Sequence, residues 1–405
     1  MPNMIADKVL NYASHIDDNT IEQAGEISTL PFIHPHVALM PDAHSGRGSA
    51  VGTVIPTVDA VIPAAVGVDI GCGMIGVQTV VQKRDIHDLN LADLRARVEE
   101  AIPLSPGNYN KNARWASHTE ERIARLEEMA EQKGVDLKHS PKWREQLGSL
   151  GGGNHFIELC EQIEGDGTGS LWLFLHSGSR GVGNKIAQKH IKIAQKLCKR
   201  WHIELANPDL AYLASGTDEF GAYIRELRWA QAFALENRAE MMDRFLSVFT
   251  DWLATDRDAA LEYDGVEIEE RRINCHHNYT ERVEINGQSV WLTRKGAIDA
   301  SAGRYGLIPG SMGTKSYVVC GKGNESGLKS APHGAGRRFS RTKAKQLFTL
   351  DDLADRMQGI EYRHGAEWID EIPDAYKPID QVMADAADLV DVEAVLTQLM
   401  NVKGI

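Results

Sequence analysis

Residues 153–181 read GNHFIELCEQIEGDGTGSLWLFLHSGSRG. Two apolar runs, HFIELCE (155–161) and LWLFLH (171–176), flank the turn-rich EGDGTGS (164–170). Apolar runs of this length on either side of a glycine-bearing turn are a hairpin signature. Upstream, VALM (37–40) runs into the polar loop PDAHSGRG (41–48), followed by the β-branched run VGTVIPTV (51–58) and a further strand candidate, MIGVQTVV (74–81). Helical patterns come between and after. Ser117-His-Thr-Glu120 forms a capping box, Ile123, Leu126 and Ala130 share one face, and Gly134 offers a stop. Residues 184–201 predict a basic helix, and 218–253 a longer one interrupted near Gly221. Glycine-rich loops between short strands fill 290–340, and 351–400 reads as acidic and mostly helical. Mixed α and β structure follows, but periodicity alone does not fix a topology. Residues 105–112 and 326–332 are the linker candidates, and no repeat or low-complexity tract occurs.

The chain has 405 residues with 44 Lys+Arg against 57 Asp+Glu, a formal net charge of −13. Apolar residues make up 42% and charged residues 25%, which suits a globular core without disulfide or metal staples. The five cysteines (72, 160, 198, 275, 320) are odd in number, far apart and never in a CxxC pair. That argues against a disulfide framework or a cysteine-rich zinc module and for a reducing, cytoplasmic setting. The N-terminal MPNMIADKVLNYASHIDD lacks the basic head and apolar stretch of a signal peptide. The most apolar region, 51–81, is broken by Pro56, Asp59, Pro63 and Asp69, so no membrane span is expected. An acidic chain is a poor non-specific nucleic-acid coat, though a basic groove remains compatible with it.

Chemistry concentrates in histidine clusters set among glycine or asparagine: Asp69-Ile-Gly-Cys72-Gly, Gly153-Asn154-His155, Leu175-His176-Ser-Gly-Ser-Arg180-Gly, Cys275-His276-His277-Asn278 and His333-Gly-Ala-Gly-Arg337. Imidazole, thiolate and carboxylate together make a transition-metal ligand set. Asp69 and Cys72, three apart, can serve one metal cluster from a single turn. Singly, a buried cysteine reads as a small hydrophobe and each histidine as a structural one. His276 and His277 would face opposite sides of a strand, so only one should ligate. Five such clusters in one chain point to a metal-dependent enzyme. Arg180, Lys295, Arg337 and Arg341 sit among small residues, as phosphate-holding cations do. The loop PGSMG (309–313) can approach a nucleotide or be a plain solvated loop. The basic helix likewise reads as a solvated face or an RNA-tracking one. GxxxxGK[ST] is absent, which excludes a P-loop NTPase.

Together the motifs GVDIGCGM, GGGNHFIE, HSGSRG, NCHHNY, PGSMGTKSY and HGAGR resemble, in content and order, those of the RtcB-type RNA ligases. The similarity runs from about residue 40 to 404. It implies a single-domain α+β fold, with central β-sheets and surrounding helices around a metal-containing cleft. It also implies an enzyme that uses GTP and two Mn²⁺ to join RNA 3′-phosphate or 2′,3′-cyclic phosphate ends to 5′-hydroxyl ends in RNA repair or tRNA splicing. An activating protein partner is compatible with this.

By that resemblance Cys72 bridges the two ions, with Asp69 and His155 completing one and His176 and His277 the other. His333 is the nucleophile that carries the guanylate. Asn154, His155, Phe156, Ile157, Glu158, His277, Asn278, Pro309, Gly310, Ser311, Met312, Ser316, Gly334, Ala335, Gly336 and Lys403 contact the nucleotide. Arg180, Lys295, Arg337 and Arg341 serve nucleotidyl transfer or hold RNA ends. Manganese rests on the resemblance alone, since Cys and His ligands by themselves favour zinc. The chain departs from the family where Ala331-Pro332 precedes His333 in place of the usual serine. The alternatives are a metal phosphodiesterase that opens cyclic phosphates without ligating, needing neither His333 nor Lys403, and a catalytically silent RNA-binding protein.

Overall fold

The expected hairpin forms the middle of the larger sheet in the computed structural model, which describes residues 2–110 and 117–404. Phe156–Glu164 and Ser170–Ser177 pair antiparallel from Phe156 opposite His176 to Glu161 opposite Leu171. The turn between them needs glycine: Gly165 has φ +96°, and a Cβ there would meet the Glu393 carbonyl at 2.1 Å. Outward on one side lie Gly73–Gln82 and Glu269–His276. On the other lie Val390–Lys403, Ser316–Gly321 and Tyr305–Pro309, with the short Glu361–Tyr362 parallel to Val390–Lys403. The outermost strands approach one another, the Arg271 guanidinium lying 3.8 Å from the Tyr305 ring centroid, so the sheet curls on itself.

Successive side chains alternate between two apolar layers. Met74, Phe156, Phe174, Leu307 and Leu396 fill one face. Ile75, Ile157, Leu173, Leu175 and Val402 meet Met241, Phe245, Phe249 and Trp252 of the long helix Asp218–Leu253 on the other. That helix runs 36 residues without a break at Gly221, contrary to the expected interruption. The Thr217 hydroxyl caps it by accepting from the Phe220 N–H. One glycine in an early turn costs only about 1 kcal/mol, which the burial of this face outweighs. The basic helix begins four residues earlier than expected, as Arg180–Arg200. Ser117–Lys133 is helical, buries Ile123, Leu126 and Ala130, and stops at Gly134 with φ +61°. The Ser117 side chain, half of the expected capping box, lies outside the described residues.

A second sheet orders its strands Asn3–Ala6, Val9–Asn11, Val37–His44, Val51–Thr57, Gln288–Lys295 and Asn278–Ile285. The strand beginning at VALM does not end at Met40 but continues through Pro41 and Asp42. Residues 351–400 are not mostly helical. Short helices Leu350–Arg356 and Ile379–Asp385 give way to the 14-residue strand Val390–Lys403. Its Ala, Leu, Gln and Met favour helix, but strands pair with it on both edges, and that context overrides propensity. Residues 326–332 are no linker either, since Ser330–Pro332 pairs with Ala297–Asp299 and is buried. The other linker candidate, 105–112, extends outside the described residues at its end. Within it, Asn110 is buried and donates to the carbonyls of Glu145 and Leu147. Among the described residues, no helix is long and apolar enough to cross a membrane.

Candidate active site

Four strand ends of the larger sheet meet at one point. Cys72 precedes Gly73–Gln82, His155 precedes Phe156–Glu164, His176 lies near the end of Ser170–Ser177, and His277 follows Glu269–His276. Cys72 Sγ lies 3.4 Å from His155 Nε2 and 3.2 Å from His176 Nε2. His155 Nε2 is 3.1 Å from Asp69 Oδ2, and His176 Nε2 is 2.9 Å from His277 Nε2. The cysteine is thus central, with Asp69 and His155 on one side and His176 and His277 on the other. His276 faces away, its Nδ1 2.8 Å from the Gly71 carbonyl.

The imidazoles are oriented from behind. Each Nδ1 lies against an oxygen: the Leu150 carbonyl at 2.9 Å for His155, the Asn154 carbonyl at 3.0 Å for His176 and Asn278 Oδ1 at 3.2 Å for His277. An oxygen acceptor keeps the proton on Nδ1 and leaves the Nε2 lone pair facing the cluster. Burial, followed by neighbouring histidines, holds His176 and His277 well below the usual histidine range, which favours the neutral ring with its Nε2 unprotonated. Burial and then the Asp69 charge push the Cys72 thiol up, whereas Asp69, despite its own burial, is held at about 2 by His155 and other donors. Converging lone pairs, a thiol and a carboxylate fit a cation; Cys72, His155 and His176 alone bring their ligand atoms within 4.8 Å of one another.

Beside this cluster is a cavity of about 310 Å³. His333 lines it with its ring 4.6 Å from that of His277. Asp42 Oδ2 accepts from the His333 backbone N–H at 3.1 Å and lies 2.6 Å from its Nδ1. The same cavity is walled by the small-residue loop Pro309, Gly310, Ser311 and Met312, and by Gly334, Ala335, Gly336, Arg337 and Arg341. Asn154, Phe156, Glu158, His176, Asn278, Lys295, Glu371, Tyr376 and Lys403 also line it, with His44, Val51 and Met74. Lys295 Nζ donates to the carbonyls of Arg47 and Ser49, and burial lowers it to about 7. Burial raises Glu158 to about 8 against the pull of Lys403, and its carboxylate accepts from Asn401 at 2.7 Å. Pro332 closes the short strand opposite Ala297, so its missing N–H falls at a strand end and His333 supplies the next donor.

Seven of the expected residues are not in the lining of this cavity: Asp69, Cys72, His155 and His277 of the cluster beside it, and Ile157, Ser316 and Arg180. Ile157 points to the opposite face of its strand and packs in the core, as the two-residue period requires after Phe156. Ser316 is buried where its strand pairs with Pro309 and Leu396. Arg180 lies behind the ligands, with Nε donating to Ser149 Oγ at 3.0 Å. Asp69 opens instead on an adjoining cavity of about 230 Å³, which shares Asn278 and Lys295 with the first. Two residues that the sequence reading passed over matter. Asp42 lay in a stretch read as a polar loop; a carboxylate two residues after the apolar VALM was the available signal. Glu371 sits 2.7 Å from Lys403, 3.3 Å from Arg337 and 3.2 Å from Arg341, and no motif marks it.

Comparison with known proteins bears on this arrangement. The chain matches the family described as tRNA-splicing ligase RtcB over residues 23–404. It is 43% identical over 398 residues to the RNA-splicing ligase RtcB of Escherichia coli (strain K12), covering 96% of this chain and 95% of that one. The tRNA-splicing ligase RtcB of Nanoarchaeum equitans (strain Kin4-M) is 30% identical over 430 residues, covering 91% and 87%. The strand ends that gather Cys72, His155, His176, His277 and His333 all fall within the matched span, and the protein belongs to the RtcB family of tRNA-splicing ligases.

Proposed function

We propose that this protein is an RNA ligase of RNA repair or tRNA splicing. It joins RNA ending in a 3′-phosphate or 2′,3′-cyclic phosphate to RNA beginning with a 5′-hydroxyl, consuming GTP as co-substrate with two Mn²⁺ bound. The observation that carries this reading is His333, in the wall of a cavity beside the cysteine–histidine cluster, held from behind by buried Asp42. A hydrolase acting on cyclic phosphates would need the cluster but not that pair, Glu158 or Lys403. The chain is proposed to act as one ligase unit, in the cytoplasm, where its five unpaired cysteines stay reduced.

Asp69, Cys72, His155, His176 and His277 would hold the metal. When bound, divalent cations supply charge neutralisation at phosphoryl oxygens. Asp42 keeps the His333 proton on Nδ1, so Nε2 presents its lone pair as a nucleophile. Nε2 attacks the α-phosphorus of GTP, a P–N bond forms and the bond to pyrophosphate breaks. Asp42 stabilises the ring as it gains positive charge. A 3′-phosphate oxygen of RNA then displaces His333, regenerating the neutral imidazole and leaving guanylate on the RNA end. The 5′-hydroxyl attacks that 3′-phosphorus, loses its proton and expels GMP. A cyclic phosphate is first opened by water to the 3′-phosphate. Glu158, Lys403 and residues 309–312 hold the nucleotide. Arg337 and Arg341 face phosphates, while Arg180 stabilises the ligand-bearing loops.

The test is joining of two defined RNAs. With GTP and Mn²⁺, a 3′-phosphate or cyclic-phosphate donor and a 5′-hydroxyl acceptor should give a ligated product. Opening of the cyclic phosphate with no ligation under any of these conditions would favour the hydrolase.

A further inference from the structure

Arg238, on the long helix Asp218–Leu253, is fully buried at 0% exposure, yet among the described residues no carboxylate pairs with it. A buried cation without a counter-charge is costly and needs a reason. Its contacts supply one. Nη1 donates to the Gly71 carbonyl at 2.7 Å and the Ser177 carbonyl at 3.1 Å. Nη2 is 3.2 Å from His276 Nδ1, and Nε donates to Asn274 Oδ1 at 2.8 Å. Gly71 adjoins Cys72, Ser177 adjoins His176, and His276 adjoins His277. His276 Nδ1 donates to the Gly71 carbonyl, so the bond that holds this strand to the guanidinium is the one to Asn274. One planar group therefore bonds three separate segments, those that carry Cys72, His176 and His277.

The neighbouring side chain extends this grip to the fourth segment. Asn237 Oδ1 accepts from the Gly148 N–H at 2.8 Å, and its Nδ2 donates to the Gly178 carbonyl at 3.0 Å. The 148–150 loop so fixed presents the Leu150 carbonyl to His155 Nδ1. The helix can come this close because residue 71 is glycine; a Cβ there would meet Ala234 Cβ at 2.8 Å.

We infer that Arg238 is the positioning residue of the metal cluster, its guanidinium tying together the segments that carry Cys72, His176 and His277 and setting a permanent positive charge behind Cys72 and Asp69, the donors that bind a cation as anions. This rests on the metal reading given above. Lysine keeps the charge but has one point donor in place of a planar fork, so it cannot make these contacts together.

The experiment uses the full chain, stripped of metal and titrated with Mn²⁺, and separately with Co²⁺ to read the thiolate-to-cobalt charge-transfer band. Arg238→Lys is expected to bind Mn²⁺ about 10- to 100-fold more weakly, the usual effect of losing a group that orients ligands. Its cobalt band should weaken and shift, which loss of general stability alone would not cause in protein that remains folded. Wild-type Mn²⁺ affinity with a wild-type cobalt band overturns the assignment. Should Arg238→Lys not fold, Asn274→Ala removes the acceptor of Nε, along with a long exposed bond to the Leu235 carbonyl at 3.4 Å, and is expected to shift both readouts the same way by less; no shift overturns the assignment equally. Cys72→Ala separates the two claims. If it also binds both metals like wild type, the metal reading itself fails. If it loses them while Arg238→Lys does not, only the role of Arg238 fails.

Discussion

Asp42 bonds to His333 through one oxygen, and its other oxygen, Oδ1, is buried with no hydrogen-bond partner among the described residues. Asp42→Asn preserves size but lets an amide N–H face the ring, so the proton no longer has one preferred nitrogen. Guanylate transfer to His333 should slow by about 10²- to 10⁴-fold, the range of a positioned acid–base group, with GTP affinity little changed. Single-turnover labelling measures the first and equilibrium binding the second. Glu158 gives a pH prediction of definite sign. Burial lifts its folded-state value from 4.5 to about 8. A raised value means the group favours folding most below 4.5, and that advantage is lost as pH climbs towards about 8. Glu158→Gln removes this dependence. Its denaturation midpoint relative to wild type should rise across that window and then level off.

At the scale of elements, the turn at Gly71 and the basic helix make separate predictions. Gly71 has φ +74° and lies against Ala234 and Gln231 of the long helix. Gly71→Ala adds both strain and overlap and should cost about 2–4 kcal/mol in urea unfolding. The helix Arg180–Arg200 exposes Lys192, Lys196 and Lys199, while Lys189, half-buried, is already paired with Glu226 at 2.7 Å. Neutralising Lys192 and Lys196 to Gln should therefore weaken RNA binding without disturbing guanylate attachment. It should also flatten the logarithmic salt slope by about 1.4 for two phosphates on a single strand. An unchanged slope would make this a solvated face. The hairpin was legible here because glycine and apolar runs act locally. Val390–Lys403 was not, because its strand character comes from partners remote in sequence, Phe156–Glu164 and Ser316–Gly321 along its edges with the short Glu361–Tyr362.

Across the whole molecule, donors from residues 69 to 277, a nucleophile candidate at 333 and Lys403 near the C-terminus converge on one end of a curled sheet and the cavity beside it. Much of that set could be read from the histidine clusters, since glycine and asparagine around imidazole mark a ligand or nucleophile locally. What holds the set in place could not. Asp42, Arg238 and Glu371 carry no motif, and their roles exist only once separate strands, a helix and a turn are brought together. Guanylate uptake by His333 in this setting is the step on which the proposed ligation depends. The most direct measurement is to incubate the purified protein with Mn²⁺ and GTP labelled at the α-phosphate, then denature it and look for label on the chain. Wild type should retain label and lose it in His333→Ala, which should still bind Mn²⁺. Label retained by His333→Ala, or none on wild type, would contradict the account.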